Sequence, residues 1–144
     1  FVYTLDDFRL VREFTYPGEG WGLAFDGKQL LMSDGSAQLR VLDAHNFNEL
    51  RRIKVHHNGA PVRQLNELEM IAGDLFANIW QSDRIARIDV RSGQVTGWLE
   101  LGNLLGLAST RADVLNGMAW DEAKQQLWVT GKLWPRIFVL EIER

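Results

Sequence analysis

The chain has no cysteine, no apolar run approaching the length of a membrane span and no grouping of lysines and arginines, and each absence closes a class of function. Without thiols there are no disulfides and no thiolate metal ligands, although this does not choose a compartment. A membrane span is not expected, because about 20 consecutive apolar residues are needed to cross the hydrocarbon core. Nucleic acid is not an expected partner either: the formal net charge is −3, and neutralising phosphates requires clustered cations. Arg51, Arg52 and Lys54 come nearest to a cluster, and on an outer strand they read as a solvated edge that discourages strand pairing. His45, His56 and His57 lack metal-ligand spacing with carboxylates, so no metal site is expected, and His56-His57 before Asn58-Gly59 reads as a turn. Gly18-Glu19-Gly20-Trp21-Gly22 is glycine-rich, yet no helix pattern follows it to receive a phosphate. There is no Gly-x-Ser-x-Gly element for a serine nucleophile. At 46% hydrophobic and 24% charged over 144 residues, the rest is an ordinary globular composition, long enough to bury a core.

What is present repeats. Gly20-Trp21-Gly22-Leu23-Ala24-Phe25, Leu65-Asn66-Glu67-Leu68-Glu69-Met70-Ile71 and Leu115-Asn116-Gly117-Met118-Ala119-Trp120 open three copies of one pattern. Each opening is followed by an apolar run (residues 29–32, 74–80 and 126–130), a polar turn, and a second run (39–42, 85–90 and 137–142) with an acid near its end, at Asp43, Asp89 and Glu141. The runs read as strands, since helical repeats would space apolar residues by three and four. A period of about 40 to 50 residues built from short strands is the signature of a β-propeller, one four-stranded blade per repeat. The fold class is therefore all-β.

In the first full repeat the four strands fall near residues 22–25, 29–33, 39–43 and 49–55. Asp26-Gly27 is a two-residue hairpin signal in which both central positions should need positive φ. Residues 1–6 and 10–14 match the third and fourth strands of a blade whose first half is absent. The expected divisions are 1–17 as the end of a preceding blade, 18–63 and 64–112 as blades, and 113–144 as most of a last one. Propellers close with about four to eight blades, so about three are covered here. Closure is expected to need further N-terminal blades or another chain.

In an antiparallel blade the start of the innermost strand, the end of the second and the turn to the third lie at one end. Trp21, Asn66 and Asn116 are therefore expected to ring one mouth of the central channel, with Asp34, Trp80 and Lys132 just outside them. Indoles, carboxamides, an acid and an amine around such a mouth suit a small polar ligand. On the residues alone an alternative stands beside this: Asn66 and Asn116 could serve backbone groups between blades, with Trp21 and Trp80 as packing. Trp98, Trp120, Trp128 and Trp134 are expected to be structural, Trp128 between blades.

Six motifs, in order, resemble one family. Gly18-Glu19-Gly20-Trp21-Gly22-Leu23, Met32-Ser33-Asp34-Gly35, Leu65-Asn66-Glu67-Leu68-Glu69, Ala77-Asn78-Ile79-Trp80-Gln81, Leu115-Asn116-Gly117-Met118-Ala119 and Thr130-Gly131-Lys132-Leu133-Trp134-Pro135 are similar to the glutaminyl cyclases of the plant and bacterial type, the glutamine cyclotransferases. The resemblance runs almost from end to end. It implies a five-bladed propeller, periplasmic or secreted, that converts the N-terminal glutamine of a peptide or protein into pyroglutamate and releases ammonia, with no metal or other cofactor. Trp21, Asn66, Trp80 and Lys132 match its substrate-pocket positions, and Asn116 is the repeat-equivalent of Asn66. Asn66 and Lys132 are candidates to support catalysis. The family's catalytic glutamate stands in a Glu-Ser-Thr-Gly-like stretch of an N-terminal blade, and no such stretch occurs here; Glu19, Glu67 and Glu69 belong to other motifs. A non-catalytic, peptide-binding propeller is the alternative, although the Trp-Asp and Gly-His punctuation of WD-type repeats is absent. A sugar- or lactone-processing propeller would typically carry a channel metal, and clustered carboxylates are scarce.

Overall fold

A computed structural model describes residues 1–102, 104 and 113–142. Fifteen strands form among them. A hairpin of β1 (Val2–Tyr3) and β2 (Leu10–Arg12) comes first. Next is a four-stranded antiparallel sheet of β3 (Leu23–Phe25), β4 (Gln29–Met32), β5 (Gln38–Asp43) and β6 (Glu49–Lys54), in that spatial order. A short hairpin, β7 (His56–His57) with β8 (Ala60–Pro61), leads to a second four-stranded sheet of β9 (Leu65–Ile71), β10 (Asp74–Ile79), β11 (Arg84–Ile88) and β12 (Val95–Glu100). The third sheet holds β13 (Leu115–Asp121), β14 (Gln126–Gly131) and β15 (Phe138–Glu141). The innermost strands β3, β9 and β13 lie against one another, as consecutive propeller blades do. The expected division at residue 112 lies outside the described residues.

Period-two alternation decides which blade each side chain meets. On β10, Leu75 and Ala77 turn toward the first blade and join Leu31, Leu39, Val41 and Ile53 in one core. Phe76 turns the other way, joining Leu115, Met118, Leu127 and Val129 in a second core. Middle strands are sandwiched, so both faces must be apolar; in β5 all of Leu39, Arg40, Val41 and Leu42 are buried. Arg40 is tolerated there because its guanidinium pairs with Glu49 at 2.8 Å, donates to the Pro17 carbonyl and covers the Tyr16 ring. A buried cation requires such partners. Outer strand β6 is mostly exposed, and Arg51, Arg52 and Lys54 lie on it.

One expectation is corrected. In the Asp26-Gly27 turn only Gly27 has positive φ, at 95°. Asp26 N–H bonds Gln29 O, and the Asp26 carboxylate accepts from the backbone of Lys28 and Gln29, so Gly27-Lys28 is the central pair. Two positive-φ residues occur instead in the second blade, at Ala72 and Gly73, and in the β7–β8 hairpin, at Asn58 and Gly59. Trp128 is the repeat-equivalent of Phe76, which packs against the next blade, and it lies on the face of the third blade that no described blade covers. Its β14 neighbours Leu127 and Val129 face the second blade, alternation turns the indole the other way, and it is 38% exposed.

Blade-to-blade contact is close at Gly22. A Cβ there would lie 2.2 Å from the Asn66 carbonyl oxygen and 2.9 Å from the Glu67 Cα, both backbone atoms with little room to yield. Gly22→Ala is therefore expected to cost about 1–3 kcal/mol through forced separation of β3 from β9. Denaturant melts would record it, and an unchanged midpoint would show that the blades slide freely.

Candidate functional site

Backbone groups at the channel mouth are joined across blades by two side chains at equivalent positions in β4 and β10, or just after them. Ser33 Oγ accepts from Gly22 N–H and donates to the Asn66 carbonyl at 2.5 Å. Asn78 Oδ1 accepts from Glu67 N–H, and its Nδ2 donates to the Leu115 carbonyl at 2.6 Å. Both side chains are fully buried, each with a donor and an acceptor engaged. The bridging role set out as the alternative for Asn66 and Asn116 thus belongs to Ser33 and Asn78. Sequence reasoning passed over them, although their matched place at the end of each second strand was a usable signal.

Trp21, Asn66, Trp80, Asn116 and Lys132 line one cavity of about 340 Å³. Three blades contribute to it. The two indoles meet edge to face, with ring centroids 5.5 Å apart at 75°. Trp21 is fixed by its Nε1–H on Glu19 at 2.6 Å and by lying across Gly35, where φ is +79° and a Cβ would sit 2.5 Å from the ring. No larger residue leaves the indole that place. Trp80 is anchored through its backbone N–H to Gln64 O, while Gln64 N–H bonds Gly35 O. Lys132 is held on both sides of its peptide by Val114 O and Asp113 N–H. Asp34 does not line the cavity; its carboxylate caps Ser36 N–H at 2.9 Å. Trp98, Trp120 and Trp134 lie away from the cavity and pack against the two cores.

The polar side chains here are uncommitted. Among the described residues neither the carboxamides of Asn66 and Asn116 nor the Lys132 ammonium makes a hydrogen bond or ion pair, and Asn66 is only 7% exposed. Buried amides normally find partners, so an unpaired one opening on a cavity is available to a ligand. The site combines aromatic walls with a cation and two donor–acceptor groups. It suits a compact, polar, uncharged or anionic group.

A second unusual group sits one residue away. Glu67, on β9, occupies the place of Gly22 and Gly117 in the other repeats, with one carboxyl oxygen buried and unpaired. Burial above all, with the neighbouring Glu69 second, pushes its pKa up to about 8 against the opposing pull of the Met118 N–H. Glu69 is also raised by burial, against a hydrogen bond from the Trp120 N–H at 3.1 Å. Glu67 and Glu69 thus face β13 of the next blade.

Comparison with known proteins identifies the family. A family described as glutamine cyclotransferase matches residues 1–142. A glutaminyl-peptide cyclotransferase of Arabidopsis thaliana is 43% identical over 149 aligned positions, covering all of this chain and 47% of that protein. The crystal structure of Myxococcus xanthus glutaminyl cyclase superposes with a TM-score of 0.84 at 36% identity, over 90% of this chain and 57% of that one. A part of Kuenenia stuttgartiensis hydrazine synthase, 16% identical with a TM-score of 0.58, shares the fold alone. The chain spans about half the length of the curated relative it matches. From matched residues, sheet order and the converging mouth of three blades alike, the chain belongs to the glutamine cyclotransferase family.

Proposed function

We propose that this chain supplies the substrate pocket of a propeller that cyclises an N-terminal glutamine to pyroglutamate and releases ammonia, without a metal ion. The observation that carries it is the single cavity formed by Trp21, Asn66, Trp80, Asn116 and Lys132, with its polar side chains left unpaired. In this reaction the substrate's α-amine attacks its own γ-carboxamide carbon. A C–N bond forms in the ring, the bond to the side-chain nitrogen breaks, and ammonia leaves. Nucleophile and electrophile are already tethered, so the protein must mainly fold the side chain back on the amine. The crossed indoles of Trp21 and Trp80 are walls suited to that compact conformer. Charge developing on the amide oxygen calls for donors, for which Asn66 and Lys132 are the candidates, with Asn116 holding the other side of the substrate.

One carboxylate acting first as base and then as acid would serve both proton transfers. No residue of this chain matches the family's catalytic glutamate, and Glu67 is turned into the blade interface. That group is assigned to the blades that complete the propeller.

The closed propeller and a fluorogenic glutaminyl substrate, with and without a chelator, provide the test. Lys132→Met is expected to lower kcat/KM about ten- to a hundredfold, or roughly 1.4–2.8 kcal/mol of transition-state stabilisation. Trp80→Ala should reduce turnover far more than it lowers the melting temperature. Wild-type kinetics for Lys132→Met would leave that residue as a solvated turn lysine. If chelator abolishes activity, the metal-free mechanism is wrong.

A further inference from the structure

A second cavity lies just outside the first, on the same end of the propeller. It is about 520 Å³ in volume and is walled by Ser36 and Gln38 of the β4–β5 turn and strand β5, Lys54 at the end of β6, His56, Pro61 and Arg63. Its charged lining is of one sign: Lys54 and Arg63 are cationic, no carboxylate lines it, and neither side chain has an ion-pair partner among the described residues. The His56 Nδ1 is buried without a hydrogen-bond partner. A chain carrying net charge −3 has placed two unpaired cations around one hollow.

The two cavities share a wall. Gly35, which carries the Trp21 ring on one side, is followed directly by Ser36 of the outer cavity. Gln64 bonds Gly35 through its N–H and Trp80 through its carbonyl, so the Gly35–Gln64–Trp80 backbone bridge separates them. Arg63 stands on the outer side and Asn66 on the inner side, three residues on. Their Cα atoms are therefore at most about 11 Å apart. An extended peptide covers that distance in about three to four residues.

We propose that the outer cavity is a subsite for an acidic side chain three to five residues from the N-terminus of the substrate peptide, whose carboxylate meets Lys54 and Arg63. This rests on the cyclotransferase reading of the inner cavity. It makes the chain a selector of acidic substrates as well as a pocket for glutamine. Exposed ion pairs are individually weak, so the preference is graded.

The test uses the closed propeller and four substrates: a short glutaminyl amide that ends before the bridge, a C-terminally amidated pentapeptide with Gln at position 1 and Glu at position 4, and the same pentapeptide with Gln or with Lys at position 4. At low salt the acidic pentapeptide is expected to exceed the neutral one in kcat/KM by about three- to tenfold, mainly through KM, and to lose the advantage in high salt. In Lys54→Gln/Arg63→Gln the acidic and neutral pentapeptides should become equal while the short amide is turned over as before. In Lys54→Glu/Arg63→Glu the Lys-bearing pentapeptide should become the preferred one. Equal rates for the acidic and neutral pentapeptides in the wild type, or an acidic preference that survives both double variants, overturn the subsite while leaving the cyclotransferase reading intact. Failure to turn over the short amide rejects that reading, and the subsite with it.

Discussion

Expressed on its own, the 144-residue chain is expected to aggregate or form irregular oligomers, melt without cooperativity and cyclise no glutamine. The cause is visible at both ends of the arc. On the first blade Leu23 and Phe25 are 51% and 53% exposed, and beyond the third blade's outer face Ile137 is 62% exposed. Their counterparts at the interfaces between described blades are in the cores. The β1–β2 hairpin does not seal its side: a cavity of about 520 Å³, lined among others by Phe1, Tyr3, Tyr16, Leu30 and Met32, separates it from the first blade. Contiguous apolar faces of this kind drive association, and a solenoid-like array is stable only when each unit is covered. Supplying the N-terminal blades of a full-length family member in trans should restore a monodisperse species and glutaminyl cyclase activity together. Light scattering, calorimetry and the fluorogenic assay would read this out. A monomeric, cooperatively melting and active 144-residue chain would require another acid–base group and another way of closing the fold.

The second large effect concerns pH. Glu67 titrates near 8 in the folded protein against an ordinary value of 4.5, mainly because burial disfavours its charged form. Between these values the folded state holds a proton that the unfolded chain has released, so stability falls as pH rises and levels off above about 8. The slope from this group reaches at most about 1.4 kcal/mol per pH unit. Glu69, shifted in the same direction, adds to it. The lowered carboxylates Asp43, Asp89, Asp121 and Glu49 act in the opposite sense and only at the acid end, below their ordinary values. In the closed propeller, denaturant melts should show stability dropping from pH 5 to 8. Glu67→Gln, which keeps the shape and removes the proton, should flatten that drop and be the more stable form at pH 8. A wild-type profile already flat over this range would place the Glu67 carboxylate in solvent.

Repeat spacing and residue pattern led to the strands because each blade restates one rule: alternation on inner strands, unbroken apolar runs on sandwiched ones. Leu39-Arg40-Val41-Leu42 reads as a strand rather than a helix, and it lies within β5. The convergence of Trp21, Asn66 and Asn116 followed from their equal place in each repeat, since identical blades present identical ends to one side. Turn details were less legible. Asp26-Gly27 carried a hairpin signal, yet the Asp26 side chain captures two backbone amides and shifts the central pair by one residue. The short β7–β8 hairpin was readable only as a turn, because two-residue strands have no period to detect.

What the sequence determined by itself was therefore the all-β repeat and the convergence of Trp21, Asn66 and Asn116, consequences of local pattern repeated at a fixed interval; the family, and the place of Trp80 and Lys132 beside them, came from the resemblance of six motifs. Only the tertiary structure decided which polar side chains are spent on holding blades together and which are free. Asn78 and Asn66 are the same residue type on adjacent strands, but Asn78 is enclosed between two backbone partners whereas the Asn66 amide opens on the cavity. The same holds for Glu67, an unremarkable acid in the sequence that becomes a buried, high-pKa carboxyl because β13 of the next blade closes over it. Desolvation and partner geometry are properties of the packed interface, set by residues about 50 positions away, and no local pattern encodes them.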